Sequence, residues 1–369
     1  MPFQEQSVMQ SRQRLARLVL EGSISVSEAA RQYGVSRTTA YLWVNRARED
    51  GIATLMERSR RPRGIPRVTP LDVEEAVLAE KGKHRAWGAK KLHVTLWQDS
   101  AAPVCVRTVD RILKRNGLVG RQASLSQGDQ RFERERCNEL WQLDYKGVPR
   151  RYRYWPLSVL DDRSRFLLLL AAQPHKTTEV VFEALWNLFG EVGLPDSILS
   201  DNGDGFNDWQ SKGPTRFEAN LWLLGISTLH GRARHPQTQG KVERFHETLK
   251  LELGEQLGQA NLETAQKVFA DYQNDYNWVR PHEALGMRVP GVVYESSAKP
   301  RPDKMPAHQI PEGAVTRKVE LSGAITYRGI RYRAGKGLTH EWVEVRPEDN
   351  DNAIYFANVR IASLSEAMV

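Results

Sequence analysis

The stretch Ile198–Phe206, ILSDNGDGF, decides how the rest of the chain is read. A short apolar run leads into Asp201, and Asn202-Gly203 then turns the chain at once. In an α/β protein this arrangement holds a carboxylate rigidly at the end of a buried strand, facing a site. An Asp-Asn-Gly turn also serves simply to end a strand. What separates the two readings is whether other carboxylates converge on Asp201.

Upstream, LWQLDYKG (140–147) places Asp144 inside an alternating run. Arg153–Leu160 leads to Asp161-Asp162, and RFLLLLAA (165–172) is apolar enough for a central buried strand. Three strands in close succession predict an antiparallel meander. A helix is expected over Thr177–Val192, with Val180, Val181, Ala184, Leu185 and Leu188 inward, and a strand over Asp196–Ser200. Downstream come a helix over Thr215–Leu224, a short strand at Ile226–Leu229 and a long helix from near Pro236. That helix contains TQGKVERFHETLKLEL (238–253) and therefore Glu243.

Three of these segments resemble the ribonuclease-H-like catalytic core shared by bacterial insertion-sequence transposases and retroviral integrases. They are WQLDYKG around Asp144, SDNGDGF around Asp201 and HPQTQGKVERFHETLK around Glu243. YNWVRPHEALG (276–286) resembles the segment that follows the core in the insertion-sequence branch. The resemblance implies a central α/β core with a mixed sheet, and Asp144, Asp201 and Glu243 as catalytic, metal-binding residues. It implies two Mg²⁺ ions, with Mn²⁺ as a substitute: a hard cation wants oxygen ligands, and two can clamp the attacking and leaving oxygens of a phosphodiester displacement. It also implies attack by water to free a 3′-hydroxyl at an element's end, then attack of that hydroxyl on target DNA. The implied partners are double-stranded DNA (terminal inverted repeats and target) and further copies of the chain, at least a dimer on DNA. An accessory ATPase is a further candidate. A non-catalytic DNA-binding regulator and a metal nuclease without strand transfer are the rival readings.

Other acids compete for these roles. Asp161 and Asp162 precede Arg163-Ser164-Arg165 and read as a turn ion pair; Asp204 lies beyond the turn. Glu247 falls one helical turn past Glu243 on the same face, so periodicity does not separate them, and the GKVER context favours Glu243. Lys241 and Arg244 flank it and are expected to hold DNA, with solvated charges as the alternative. His235 and His246 lack metal-ligand spacing with any cysteine and read as helix-surface or DNA-contacting residues. Two features depart from the family pattern. Asp201 and Glu243 are separated by 41 residues, with the surplus assigned to NDWQSKGPTRF (207–217), and the zinc-binding amino-terminal module of retroviral integrases is absent.

The net charge of +8 is unevenly spread. Residues 1–137 hold 25 Lys and Arg against 15 Asp and Glu, whereas the remaining 232 hold 28 against 30. A basic front end on a near-neutral body suggests nucleic-acid binding. After a first helix over Gln10–Glu21, SVSEAARQYGVSRTTAYLWVNRARED (25–50) reads as helix, Gly-containing turn, helix. Ser25 with Glu28 forms a capping box, and Ser36 caps a second helix with Ala40, Trp43, Val44 and Ala47 inward. Its outer face would offer Arg37, Thr38, Tyr41, Asn45 and Arg46 to a major groove. The linker ERSRRPRGIPR (57–67) brings Arg60, Arg61 and Arg63 to a phosphate backbone. A second helix-turn-helix-like module follows over 69–120, with helices at about Pro70–Lys81, Trp87–Trp97 and Val106–Asn116; the last carries Arg107 and Arg111. A structural spacer is the alternative.

The expected domains are therefore 1–56, 69–120, a core over 138–280 and, past a Pro-rich linker (281–312), an all-β domain over 313–369. Its strands are expected in VTRKVEL, AITYRGIRYRA, EWVEVRP and AIYFANVRIA, five in all, closing a small SH3-like barrel with Arg328, Arg331 and Arg333 toward DNA. Cys105 and Cys137 lie far apart, which argues against a disulfide framework or a zinc site. With no apolar run of spanning length, the chain reads as cytoplasmic, associated with the nucleoid.

Overall fold

The computed structural model describes residues 7–56, 69–98, 100–119, 133–146, 154–201, 206, 213–230, 240–258, 260–348 and 351–368. Residues 1–68 and 69–369 form two separate units. The first holds α1 (Val8–Leu20), α2 (Val26–Gln32) and α3 (Arg37–Asp50). Ser25 and Glu28 close the expected capping box, each satisfying the other's backbone N–H. Gly34, at φ +64°, makes the turn, and the Ser36 hydroxyl accepts from the Thr39 N–H. Leu15, Ala29, Ala30, Ala40 and Val44 form the small core. Trp43 packs with Ala16, Ala47 and Leu55 beneath the guanidinium groups of Arg12 and Arg46.

The second unit begins with α4 (Leu71–Lys83), α5 (Ala89–Leu96) and α6 (Val106–Arg115), which bury Val77, Trp87, Leu92, Val109, Ile112 and Leu113 together. Next come β1 (Trp141–Tyr145), β2 (Trp155–Asp161), β3 (Leu167–Gln173), α7 (Thr178–Val192), β4 (Ser197–Ser200), α8 (Arg216–Leu223) and β5 (Ser227–His230). α9 (Gly240–Leu257) and α10 (Leu262–Trp278) complete the core. The sheet order is β3-β2-β1-β4-β5, with β1 antiparallel to β2 and parallel to β4. That is the mixed sheet expected of a ribonuclease-H-like core. α7 and α8 pack on one face through Val181, Leu185, Phe189, Phe217 and Leu221; α9 and α10 cover the other through Phe245, Leu249, Phe269 and Tyr276.

One strand differs from expectation. The apolar run read as a central strand is β3, at the sheet's edge. It is apolar because α10 covers it, and α10 also supplies the partners that a neighbouring strand would have given. Asn277 Oδ1 accepts the Leu167 N–H at 2.8 Å, Gln266 Oε1 the Ala172 N–H at 2.9 Å, and Gln273 Nε2 donates to the carbonyls of Leu167 and Leu168 at 3.0 Å. Side-chain amides thus satisfy an edge that would otherwise recruit another chain.

The Pro-rich segment is a strap rather than a free linker. After α11 (Pro290–Val293), Ser297 N–H donates to Val192 O at 2.8 Å, Lys299 O accepts from Leu194 N–H at 2.8 Å, and Arg301 lies over the Trp186 ring. Six strands follow instead of five: β6 (Thr316–Lys318), β7 (Ala324–Tyr327), β8 (Ile330–Arg333), β9 (Trp342–Pro347), β10 (Asn352–Phe356) and β11 (Val359–Ser363). Arg328-Gly329 and Ala357-Asn358 both take positive φ, so each long run folds back as a tight hairpin. Among the described residues there is no closed barrel: β11-β10-β9-β6 form an open sheet and β7-β8 a separate pair, closed off by α12 (Leu364–Ala367). This domain rests on α8, where Gly337 lies so close to Thr215 that a Cβ would stand 2.2 Å from its carbonyl carbon.

Candidate active site

Strand pairing brings the first two acids together. Leu143 pairs with Ser200 across the parallel β1–β4 ladder, so the next step along each strand puts Asp144 beside Asp201. Glu243 stands in the first turn of α9, where a helix favours negative charge, and α9 packs against β1. Asp144 registers both neighbours. Burial first, then the charges of Asp201 and Glu243, push its carboxyl up to about 7. Three acids that repel one another are a donor set fitted in kind to a hard divalent cation. In the conformation described, no three His, Cys, Asp or Glu stand close enough to hold one ion, among the described residues.

Beneath Asp144 lies a residue that the sequence reading misassigned. His246 is not on the helix surface but buried, with Nε2 2.6 Å from Ser158 Oγ and Nδ1 3.4 Å from Asp144 Oδ2. Burial, then the Lys146 ammonium, drives its pKa down to about 3, so the ring is neutral. Ser158 has one proton to give, and its Oγ also lies 3.1 Å from the Asp144 carbonyl. Donation to that carbonyl makes His246 Nε2–H the donor to Ser158 and turns the Nδ1 lone pair toward Asp144, where a protonated carboxyl can donate. Lys146, for its part, donates to the His246 carbonyl at 2.7 Å.

Aromatic residues wall the site. Tyr145 stacks on the buried Phe206 at 5.3 Å, and the Lys176 ammonium lies 4.3 Å from the Trp155 ring. The Tyr145 hydroxyl is buried without a hydrogen-bond partner among the described residues. Asp204, His235 and most of 207–217 lie outside the described residues, as do Arg60, Arg61 and Arg63.

The expected basic contacts divide. Lys241 does not face outward: its ammonium sits 2.6 Å from the buried carboxylate of Asp162, which corrects both the DNA contact expected of Lys241 and the pairing expected of Asp162 with Arg163 and Arg165. Those two arginines pair with Glu133 instead. Arg244 is exposed. On α3, Arg37, Thr38, Tyr41 and Asn45 are exposed, whereas Arg46 is half-buried over Trp43. Arg107 and Arg111 form an exposed stripe on α6. In the β domain Arg328 covers Tyr327, Arg331 pairs with Glu320 at 2.7 Å, and Arg333 is exposed.

Profiles described as "Integrase core domain" match residues 134–236 and 224–290, and "IS481 family transposase, C-terminal domain" matches 314–365. In these segments the chain is similar to insertion-sequence transposases and to the integrase core. A "Winged helix-turn helix" profile matches residues 12–72. The chain is 24% identical over 285 residues to the transposase for transposon Tn552 of Staphylococcus aureus, covering 69% of this chain and 58% of that protein. It is 32% identical over 113 residues to the Gag-Pro-Pol polyprotein of Mason-Pfizer monkey virus, covering 31% of this chain and 6% of the polyprotein. The chain therefore spans little more than half the length of the transposase it matches, and a small part of the viral polyprotein. Among solved structures, the catalytic core domain of HTLV-2 integrase in complex with magnesium is similar at 18% identity, covering 43% of this chain and 97% of that one, with a TM-score of 0.34. The core domain of BIV integrase is similar at 25% identity, covering 42% and 93%, with the same score of 0.34.

No helix among the described residues is long and apolar enough to cross a membrane, and both cysteines are free.

Proposed function

We propose that the chain is a DNA transposase, a Mg²⁺-dependent polynucleotidyl transferase. It would bind the terminal inverted repeats of an insertion sequence, cut the ends to free 3′-hydroxyls and join them to target DNA. The observation that carries this reading is the β1–β4 register that sets half-buried Asp144 beside Asp201 at the strand ends, with Glu243 close enough for its charge to act on Asp144. These three residues would hold two divalent ions, for which Mn²⁺ would substitute. The bound ions would supply Lewis-acid polarisation of the phosphodiester and lower the pKa of a water.

The chain's own residues do the rest. β1 and β4 hold two carboxylates in one rigid register, and the buried, neutral His246 adds no competing charge beside Asp144. Lys176 partly offsets the local negative charge. End recognition falls to α3, whose exposed Arg37, Thr38, Tyr41 and Asn45 suit a major groove. The basic stripe of α6 and the arginines of β7–β8 suit phosphate contacts, and DNA binding there should weaken steeply with salt. Two ends must be held together, so the active form is at least a dimer on DNA, acting in the cytoplasm at the nucleoid.

The test is incubation of the full chain with DNA carrying candidate terminal repeats and Mg²⁺. Joined products support the transposase, cleavage alone a nuclease, and stable binding without either a regulator. Asp201→Asn should abolish both reactions, a loss of at least about a thousandfold, while end binding stays near wild type. A fully active Asp201→Asn protein would remove these acids from the site.

A further inference from the structure

The turn after β2 holds a charge that the chemistry above does not use. Asp162 is fully buried and collects its side-chain partners from three parts of the chain. Its Oδ1 accepts from Gln142 Nε2 at 2.7 Å and lies 2.6 Å from Lys241 Nζ. Its Oδ2 accepts from the Arg134 N–H at 2.8 Å, and its carbonyl accepts a second contact from Lys241 Nζ at 3.1 Å. Gln142 is also fully buried, and its Oε1 faces the Val242 N–H at 3.4 Å.

The placement of these groups is what matters. Gln142 precedes Asp144 by two residues, on the same face of β1. Lys241 and Val242 lie in the first turn of α9, immediately before Glu243. The first N–H groups of a helix have no partner within it, so the Gln142 carbonyl takes one end of α9 while its amide nitrogen is held by Asp162. β1 and the start of α9 are about a hundred residues apart in the chain, and chain connectivity does little to set the distance between them. A buried carboxylate is tolerated only when fully compensated, which makes this contact geometrically demanding rather than adaptable.

We propose that Gln142, Asp162 and Lys241 form a positioning strut that sets where Glu243 stands relative to Asp144, and so the affinity of the three acids for divalent metal. The proposal rests on the functional reading above. None of the three touches substrate or ion; they act through β1 and α9. A purely structural role would cost stability without changing how the acids respond to metal.

The experiment compares the full-length wild type with Lys241→Met, Gln142→Leu, Lys241→Arg and the double variant Asp162→Leu/Lys241→Met. The double variant removes both buried charges together, a replacement that is often neutral or stabilising, so it folds even where Lys241→Met does not. Two readouts are taken: the Mg²⁺ concentration giving half the maximal rise in melting temperature without DNA, and the Mg²⁺ concentration giving half-maximal cleavage of end DNA. Lys241→Met, Gln142→Leu and the double variant should each need about ten- to a hundredfold more Mg²⁺ in both, the range seen when residues that orient metal ligands are lost. Lys241→Arg should return to within about threefold of wild type, since it restores the cation. Folded variants that share the wild-type Mg²⁺ dependence, whatever their melting temperatures, overturn the strut alone. A wild-type protein that responds to Mg²⁺ in neither readout overturns the functional reading and the strut with it.

Discussion

Trp43 on α3 and Trp87 ahead of α5 are both buried, and each has arginine over its ring, but the arginines come from different places. Those on Trp43 are Arg12 and Arg46, from within the same three-helix unit. The one nearest Trp87 is Arg280, from the segment that follows the catalytic core, and Arg280 is itself paired with Glu252 of α9. Lys90 adds an ion pair to Glu283 at 2.7 Å, and His84 faces Asp275. Two helical modules of similar length and periodicity therefore differ in kind. The first closes its own core and leaves its polar face over for a ligand. The second is joined to the core by polar contacts, while Arg107 and Arg111 of α6 stay exposed.

The comparison predicts unequal costs for similar substitutions. Arg280→Met strands Glu252, whose side chain is only 13% exposed, and should destabilise the second unit by about 3–5 kcal/mol. Arg46→Ala removes only a stacked, partly exposed cation and should cost the first unit about 1 kcal/mol or less. Denaturant titration followed by unit-specific tryptophan fluorescence measures both, and equal losses would break the distinction.

Lys91 sharpens it. Burial, then the nearby Arg280, lowers this lysine to about 7 against an ordinary 10.5. Glu252 and Glu283 pull the other way but do not restore it, and the neighbouring His282 is held neutral, near 2. The unfolded chain therefore binds the extra proton between pH 7 and 10.5, and stability of the second unit should rise with pH across that window and level off below it, where both states are protonated. Lys91→Met should flatten the rise and stabilise the unit at neutral pH by an amount on the order of 2 kcal/mol. A melting profile with the same slope in the variant would exclude Lys91 as the source.

An effect as small as that of Arg46→Ala belongs to the first unit as well. Ser36→Ala removes the α3 cap and should cost about 1 kcal/mol there, with no change in the second unit. Hydrogen exchange would report it as faster opening confined to residues of α2 and α3.

Helix starts were legible because they depend on neighbours in the chain. Ser25 and Ser36 cap the helices expected of them, and Thr177 and Thr215 cap the helices expected to start there. The elements that carry Asp144, Asp201 and Glu243 were legible because the pattern of each strand and helix is local. His246 was not, because nothing within its helix shows that Ser158, 88 residues earlier, will receive its ring. Asp162 and Lys241 were misread for the same reason: adjacent arginines suggested a local pair, and the actual partner lies 79 positions away. The extra strand in the β domain had a local signal after all, in the residues of Arg328-Gly329 and Ala357-Asn358, where Gly and Asn tolerate positive φ.

By itself, the sequence determined the order of elements and the caps, since period and turn chemistry act over a few residues. Tertiary structure alone decided that the most apolar strand lies at an edge sealed by the side-chain amides of α10. It also decided that the last domain is an open sheet and a hairpin, and that a histidine and a lysine of α9 point inward. Each of those outcomes depends on which distant group arrives to satisfy a buried hydrogen bond or charge, and a period read along the chain carries no record of that.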